Sequence, residues 1–129
     1  MPLILLSGEQ VQIDFFNVIR DRNIVAEYFH QGILLATQHM PVKTATIYSN
    51  VFSKGISGTH FAASREIITF EIRINDQNTS IDADAFSTEH DGTRIKINYM
   101  FQDKIVLSQR TSIHTLQSIA AEIRAKVDS

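Results

Sequence analysis

Two neighbouring segments late in the chain alternate between apolar and polar residues with a period of two. In the first, apolar residues occupy one face and polar residues the other: Ile95, Ile97, Tyr99 and Phe101 against Arg94, Lys96 and Asn98. Such alternation is typical of a half-buried strand. A short polar turn at 102–104 follows, and residues 105–113 return in the opposite direction, which predicts an antiparallel hairpin.

The spacing of apolar residues then becomes helical. They recur every three to four positions, at Leu116, Ile119, Ala120, Ile123 and Val127. Arg124 and Lys126 lie near the end of this segment, where positive charge interacts favourably with the helix dipole. The pattern predicts a C-terminal helix that can cover the apolar face of the hairpin.

The N-terminal part of the chain fits two patterns. Residues 7–10 match a capping box, and apolar residues follow at helical spacing, which predicts a first helix over residues 8–20. Val11, Ile13 and Phe15 also alternate, so a strand is the alternative. Asn23 can cap a second helix over residues 24–30, with Gly32 after its end.

The middle of the chain predicts a strand, a helix and then a sheet. Residues 33–39 form the strand, and Pro41 suits the first turn of a third helix that Gly55 can end. Residues 54–64 are expected to be a loop. Strands follow from residue 66 and over 80–88, with a turn at Asp91-Gly92. Helices, then strands, then a last helix indicate one α+β domain over residues 1–129, without an internal repeat.

Composition and net charge argue against several classes of function. The chain has 129 residues, of which 43% are hydrophobic and 20% charged, and its net charge is −2. This balance gives no general attraction to nucleic acid or to an acidic membrane. The absence of cysteine excludes disulfides and thiolate chemistry, and the apolar stretch 2–6 is too short for a signal peptide or a membrane span. A cytoplasmic location is expected.

Several strings resemble the nuclear-transport-factor-2-like superfamily, which includes ketosteroid isomerases and polyketide cyclases. Residues 15–21 and 23–29 look like that family's first two helices, and residues 99–106 look like its recurrent aromatic hairpin, without the usual glycine. The resemblance implies N-terminal helices packed in the concavity of a curved antiparallel sheet. It also implies an apolar pocket and a homodimer formed through the sheet face, for which Glu71, Arg73, Arg94, Lys96 and Arg110 provide mixed charge.

The catalytic residues of ketosteroid isomerases are not carried over. Their first-helix tyrosine falls near Gln12, their late-strand acid near Ile97 or Asn98, and their base within residues 36–39. His39 as a proton carrier and Asn98 as a hydrogen-bond donor to an oxyanion are the candidate catalytic residues. The expected pocket wall consists of Gln12, Phe15, Tyr28, Tyr48 and Tyr99. The five histidines show no two-ligand helical spacing and no phosphate-binding glycine loop appears, so neither metal nor cofactor is expected.

Three hypotheses follow. The first is a small-molecule pocket protein, possibly an acid–base isomerase or cyclase that acts on an apolar carbonyl compound. The second is a non-catalytic ligand-binding or homodimeric protein-interaction module on the same fold. The third drops the resemblance, takes residues 11–15 as a strand, and expects an antiparallel sheet with a C-terminal helix, as in small interaction domains.

Overall fold

The computed structural model describes residues 3–6, 10–62, 66–74 and 76–129. Within this part of the chain it has two helices and eleven strands, which confirms the α+β class. In chain order the elements are β1 Leu3–Leu6, β2 Gln10–Ile13, β3 Phe15–Arg20, β4 Ile24–His30, β5 Ile33–Met40, α1 Val42–Lys54, β6 Thr59–Phe61, β7 Ile68–Ile74, β8 Gln77–Ala83, β9 Ala85–Asp91, β10 Arg94–Phe101, β11 Lys104–Ser112 and α2 Ile113–Val127.

The strands form two antiparallel sheets. One has six strands in the order β2-β1-β11-β10-β9-β6, and the other has five in the order β3-β4-β5-β7-β8. The helices pack against each other, and α2 also packs on β3. The core is formed by residues from both sheets and both helices, among them Tyr28, Tyr48, Phe70, Phe86 and Tyr99.

The fold contains an internal repeat, contrary to the prediction from the sequence. A shift of 71 positions carries β4, β5 and α1 onto β10, β11 and α2, and the two helices begin at Val42 and Ile113. It also carries Tyr28 onto Tyr99 and Gln38 onto Gln109. Both halves therefore share the order of five strands followed by a helix, with β6 between the halves.

The local geometry is repeated as well. Each half has a register irregularity directly after its tyrosine, between Tyr28 and Phe29 and between Tyr99 and Met100. Each half also has an aspartate at the corner before its third strand. The Asp14 carboxylate accepts a hydrogen bond from the Gln31 backbone N–H at 2.9 Å, and Asp84 accepts one from Gln102 at 3.2 Å.

The halves exchange hairpins. The β1–β2 hairpin of the first half pairs through β1 with β11 of the second, and the β7–β8 hairpin pairs through β7 with β5 of the first. Each sheet is therefore completed by two strands from the other half. These pairings join residues far apart in sequence and lock the halves together.

The two N-terminal helices predicted from the sequence are wrong. Residues 10–13, 15–20 and 24–30 are strands, and residues 7–9 of the expected capping box lie outside the described residues. Helices packed inside the concavity of a sheet are therefore not what this part of the chain forms. Tertiary pairing overrode the helical spacing, because β4 lies between β3 and β5 and buries Ile24, Ala26 and Tyr28.

The remaining elements follow the sequence more closely. The strand over 33–39, the helix after Pro41, the late hairpin and the C-terminal helix are confirmed. Gly55 adopts φ of 65° after α1, the left-handed conformation that glycine favours. The expected loop 54–64 contains the short strand β6, and the expected strand 80–88 is divided between β8 and β9 at Asp84.

Candidate functional site

The three tyrosines expected to line a pocket converge in the core. Tyr28, Tyr48 and Tyr99 are fully buried. The Tyr28 hydroxyl donates to Gln38 Oε1 at 2.7 Å, and the Tyr99 hydroxyl donates to Gln109 Oε1 at 2.6 Å. The hydroxyls of Tyr48 and Tyr99 lie 2.8 Å apart. The tyrosine side chains thus bond to one another and to buried glutamines.

Burial keeps these hydroxyls protonated. Loss of hydration raises the pKa of Tyr48 to about 12. The same loss, with the neighbouring Tyr48 as the next cause, raises the pKa of Tyr28 and of Tyr99 well above the ordinary tyrosine value. Aromatic rings fill the space around them, with Tyr99 at 4.7 Å from Phe70 and Tyr48 at 4.6 Å from Phe52 between ring centroids. Neutral hydroxyls in a packed interior stabilise the fold.

His39 lies on the opposite face of β5 from the core. Its Nε2 is 2.9 Å from the Thr37 hydroxyl and 3.9 Å from a carboxylate oxygen of Glu71 on β7. A shallow groove of about 390 Å³ runs past it, and residues of the loop after β3, including Asp21, contribute to its lining. The groove lining thus contains one arginine, Arg22, and three acidic residues, Asp21, Glu27 and Glu71.

Asn98 belongs to the other sheet. It donates from Nδ2 to Glu89 Oε2 at 2.7 Å and accepts from the Ser108 hydroxyl at 2.8 Å. His39 on β5 and Asn98 on β10 therefore do not share a sheet. Both polar groups of the Asn98 amide already have protein partners.

Gln12 and Phe15 are at the surface. Gln12 is exposed on β2, and the Phe15 side chain is 61% exposed at the start of β3. Phe15 contacts Phe29 with a ring-centroid distance of 5.7 Å and lines a groove between β3 and α2. The seven residues predicted as one site are consequently distributed over the core and several parts of the surface.

A cluster of positive charge lies on the face of the six-stranded sheet that points away from the core. We call Arg94, Lys96 and Arg110 the cationic face. Lys96 and Arg110 are direct cross-strand neighbours on β10 and β11, and all three line a groove of about 430 Å³. Like charges placed directly opposite each other destabilise an antiparallel pair.

Neither Lys96 nor Arg110 has an acidic partner within 4.0 Å among the side chains that the structure describes. On β9, Glu89 lies directly across from Lys96 and Asp91 directly across from Arg94, whereas no acidic residue is the cross-strand partner of Arg110. Three cations thus face two acidic positions, which offset only part of the local charge. The cationic face is a surface suited to bind anions.

The internal repeat shows that the cations at Lys96 and Arg110 are not repeated at the equivalent positions of the first half. The shift of 71 positions places Lys96 at the position of Val25 and Arg110 at that of His39. The corresponding groove of the five-stranded sheet thus has one apolar residue and one histidine where the cationic face has two cations. The two halves share their buried tyrosine–glutamine pairs and differ on their outer faces.

The mixed-charge surface expected from the sequence is divided in two. Glu71 and Arg73 lie on β7 of the five-stranded sheet, whereas Arg94, Lys96 and Arg110 lie in the six-stranded sheet. The alternation of polar residues identified these positions as outward-facing. The predicted late hairpin already made the strands of Lys96 and Arg110 neighbours, but the alternation did not show that β7, with Glu71 and Arg73, belongs to the other sheet.

The described part of the chain provides neither a metal site nor a membrane-spanning helix. It contains no group of three or more histidine, aspartate or glutamate side chains arranged to hold a metal ion. No described helix is long and apolar enough to span a membrane. Comparisons with protein-family models, with curated proteins and with solved structures each gave no match to this chain.

Proposed function

We propose that the protein is a non-catalytic interaction module that binds an acidic segment of a partner protein on its cationic face. The observation that carries the proposal is the direct opposition of Lys96 and Arg110 without a described acidic partner. Carboxylates of a partner would relieve this repulsion, and an arginine guanidinium can hold a carboxylate through two parallel hydrogen bonds.

An acidic protein segment suits this surface better than nucleic acid. The cationic face has three positive side chains, with Glu89 beside them, and the chain as a whole carries a net charge of −2. Nucleic-acid affinity depends on neutralising many phosphates along an extended positive surface. A short run of aspartate or glutamate requires only a few cations.

The acid–base isomerase or cyclase expected from the family resemblance has less support. The hydroxyls of Tyr28, Tyr48 and Tyr99 are bonded inside the core, and His39 and Asn98 belong to different sheets. Two of the strings behind the resemblance form strands. A homodimer is the competing interpretation, in which acidic residues of a second copy would occupy the cationic face.

The test is a binding titration with a fluorescein-labelled hexaglutamate peptide at low ionic strength, followed by fluorescence anisotropy. We expect the Lys96→Glu/Arg110→Glu double variant to bind at least about tenfold more weakly than the wild-type chain. The control is Lys43→Glu/Lys54→Glu, which makes the same change in net charge at two exposed positions of α1. It should retain binding.

Three results would overturn the proposal. One is equal loss of affinity in both double variants, since attraction would then follow net charge alone. The second is tighter binding of a single-stranded DNA oligonucleotide than of the peptide. The third is a dimer in analytical ultracentrifugation that only Lys96→Glu/Arg110→Glu dissociates, because the occupant of the face would then be a second copy.

A further inference from the structure

The internal repeat also reveals an edge strand, β3, whose outer side has no further strand beside it among the described residues. In the six-stranded sheet, β6 pairs with the outer side of β9. The strand that corresponds to β9 in the first half is β3, and β3 is the end strand of the five-stranded sheet. One edge is covered by the chain itself, and the equivalent edge is open.

The covered edge shows how a strand fits there. The register of β6 against β9 is antiparallel and pairs His60 with Phe86. The His60 ring lies over Phe86, with a centroid distance of 5.4 Å. On the open edge, Phe16 corresponds to Phe86 by strand pairing, because Phe16 lies across from Tyr28 as Phe86 lies across from Tyr99. A strand added to β3 in the same way would direct one side chain onto Phe16.

A groove is present at the place this side chain would occupy. It runs between β3 and α2 and has a volume of about 290 Å³. Its lining combines aromatic rings, hydroxyls and acids: Ile13, Asp14, Phe15, Phe16, His114, Thr115, Ser118 and Glu122. The groove thus continues inward from the open strand edge.

The open edge also exposes apolar surface. Phe15 is 61% and Ile19 is 40% exposed on β3, whereas the exposed residues of the other end strand of this sheet, from Gln77 to Ser80, are polar. Edge strands of stable folds are usually shortened, charged or covered, because their free backbone groups pair readily with another chain. An apolar open edge is therefore typical of a strand that accepts a partner.

The acidic side chains at the groove favour a basic side chain in the bound segment. Asp14 contributes a carboxylate that is about half exposed, and Glu122 contributes a second from α2. Among the described residues, no hydrogen bond or ion pair involves the Glu122 carboxylate. A cation that stacks on phenylalanine and meets two carboxylates is favourably placed.

We propose that the open edge of β3 binds an extended segment of a partner protein as an additional antiparallel strand, with a basic side chain directed into the groove between Phe16 and Glu122. A second copy of this chain fits less well. Paired edge to edge, it would present Phe16, Val18 and Arg20. Arg20 is already bonded to backbone carbonyls at the end of α2, such as that of Lys126 at 2.9 Å. This surface is separate from the cationic face.

The experiment uses three capped heptapeptides of alternating threonine and valine. One has arginine at the centre, the second has glutamate there, and the third is the arginine peptide with alternate amides N-methylated. Binding is followed by ¹H–¹⁵N correlation spectra of the full chain. The arginine peptide should bind, shift resonances of β3 and the first half of α2, and bind at least about tenfold more tightly than the others.

Variants separate the side-chain and backbone contributions. Glu122→Gln should weaken binding of the arginine peptide by about tenfold, while Glu71→Gln, which removes an exposed carboxylate elsewhere, should leave it unchanged. Val18→Pro should abolish strand addition, because the N–H groups of Asp21 and of alternate residues back to Asn17 face β4 and that of Val18 faces the open edge. Its amide spectrum will show whether it is folded. Equal binding of the arginine and N-methylated peptides, shifts confined to other strands, or a peptide-free dimer that depends on β3 would each overturn the proposal.

Discussion

The hydroxyl of Tyr99 donates a 2.6 Å hydrogen bond to Oε1 of Gln109, its neighbour across the β10–β11 hairpin and fully buried with it. Tyr28 and Gln38 make the same bond at 2.7 Å in the first half, and in both pairs the residues are ten apart in sequence. Tyr48 of α1 then bonds to Tyr99. The repeat thus brings two copies of one polar pair into a shared core, where an unpaired member is costly.

The two tyrosines should contribute unequally to stability. Tyr99→Phe removes a hydroxyl that contacts both Tyr48 and Gln109, so we expect the free energy of unfolding to fall by about 1–3 kcal/mol. Tyr28→Phe removes the bond to Gln38 and should cost about 1 kcal/mol. Urea denaturation of both variants measures the difference. Equal losses would mean that the contact between Tyr48 and Tyr99 contributes no stability.

The buried tyrosines also predict loss of stability at high pH. Their folded-state pKa values are raised, that of Tyr48 to about 12, above the value of about 10 in the unfolded chain. The stability they contribute is therefore fully present below about pH 10 and lost as the pH rises toward the folded-state pKa.

Tyrosinate absorbance at 295 nm and circular dichroism, recorded through the same alkaline titration, test this. Because all three tyrosines are buried, we expect the absorbance to rise together with unfolding. Ionisation near pH 10 with unchanged circular dichroism would contradict the burial of the hydroxyls.

The two equivalent hairpin turns provide a matched pair of substitutions. Gln31-Gly32 and Gln102-Asp103 both have positive φ, with 80° at Gly32 and 68° at Asp103. Glycine adopts this conformation without strain, whereas aspartate pays a steric cost that the greater flexibility of glycine in the unfolded chain partly offsets. Asp103→Gly should raise the midpoint of thermal unfolding through a gain of about 0.5 kcal/mol.

The reverse substitution, Gly32→Asp, should lower stability by a similar amount. A Cβ at Gly32 would meet no atom within 4 Å, so its effect comes from the backbone conformation. Opposite shifts in the two thermal midpoints are the expected result. Shifts of the same sign would show that the turns are not equivalent.

Arg20 should anchor the end of α2. Its guanidinium donates to the backbone carbonyls of Lys126, Val127 and Ser129 at 2.9, 3.1 and 2.9 Å, at the helix end where carbonyls lack partners within the helix. Arg20→Ala should cost about 1 kcal/mol and speed amide hydrogen exchange in the last turn of α2. Arg22→Ala, at an exposed position two residues on, is the control and should leave exchange there unchanged.

A signal for the repeat was present in the sequence. Tyr28, Gln31 and Gln38 have the same spacing as Tyr99, Gln102 and Gln109. With Ile24/Ile95 and Thr44/Thr115 they make five identities between residues 24–54 and 95–125. Five are too few to stand out, because most positions of a strand require only apolar or polar character. The identical tyrosines and glutamines form equivalent hydrogen bonds, and only the folded structure shows these bonds.

The sequence by itself determined the elements whose pattern of apolar residues fits only one type of secondary structure. The 94–112 hairpin alternates strictly around a polar turn, and both helices follow a strand end and carry apolar residues at helical spacing. It also determined which side chains of these strands face outward, including Lys96 and Arg110. These features depend on neighbouring residues, so local chemistry is sufficient to specify them.

Only the tertiary structure decided the conformation of residues 10–30, the exchange of hairpins and the position of the charges. Val11, Ile13 and Phe15 suit a helix or a strand, and the choice was made by pairing with β1, β4 and β5. Strand pairing joins residues distant in sequence, and its energy is not encoded in any local period. For the same reason, the open β3 edge and the separation of Glu71 and Arg73 from the cationic face became recognisable only when the order of the strands was known.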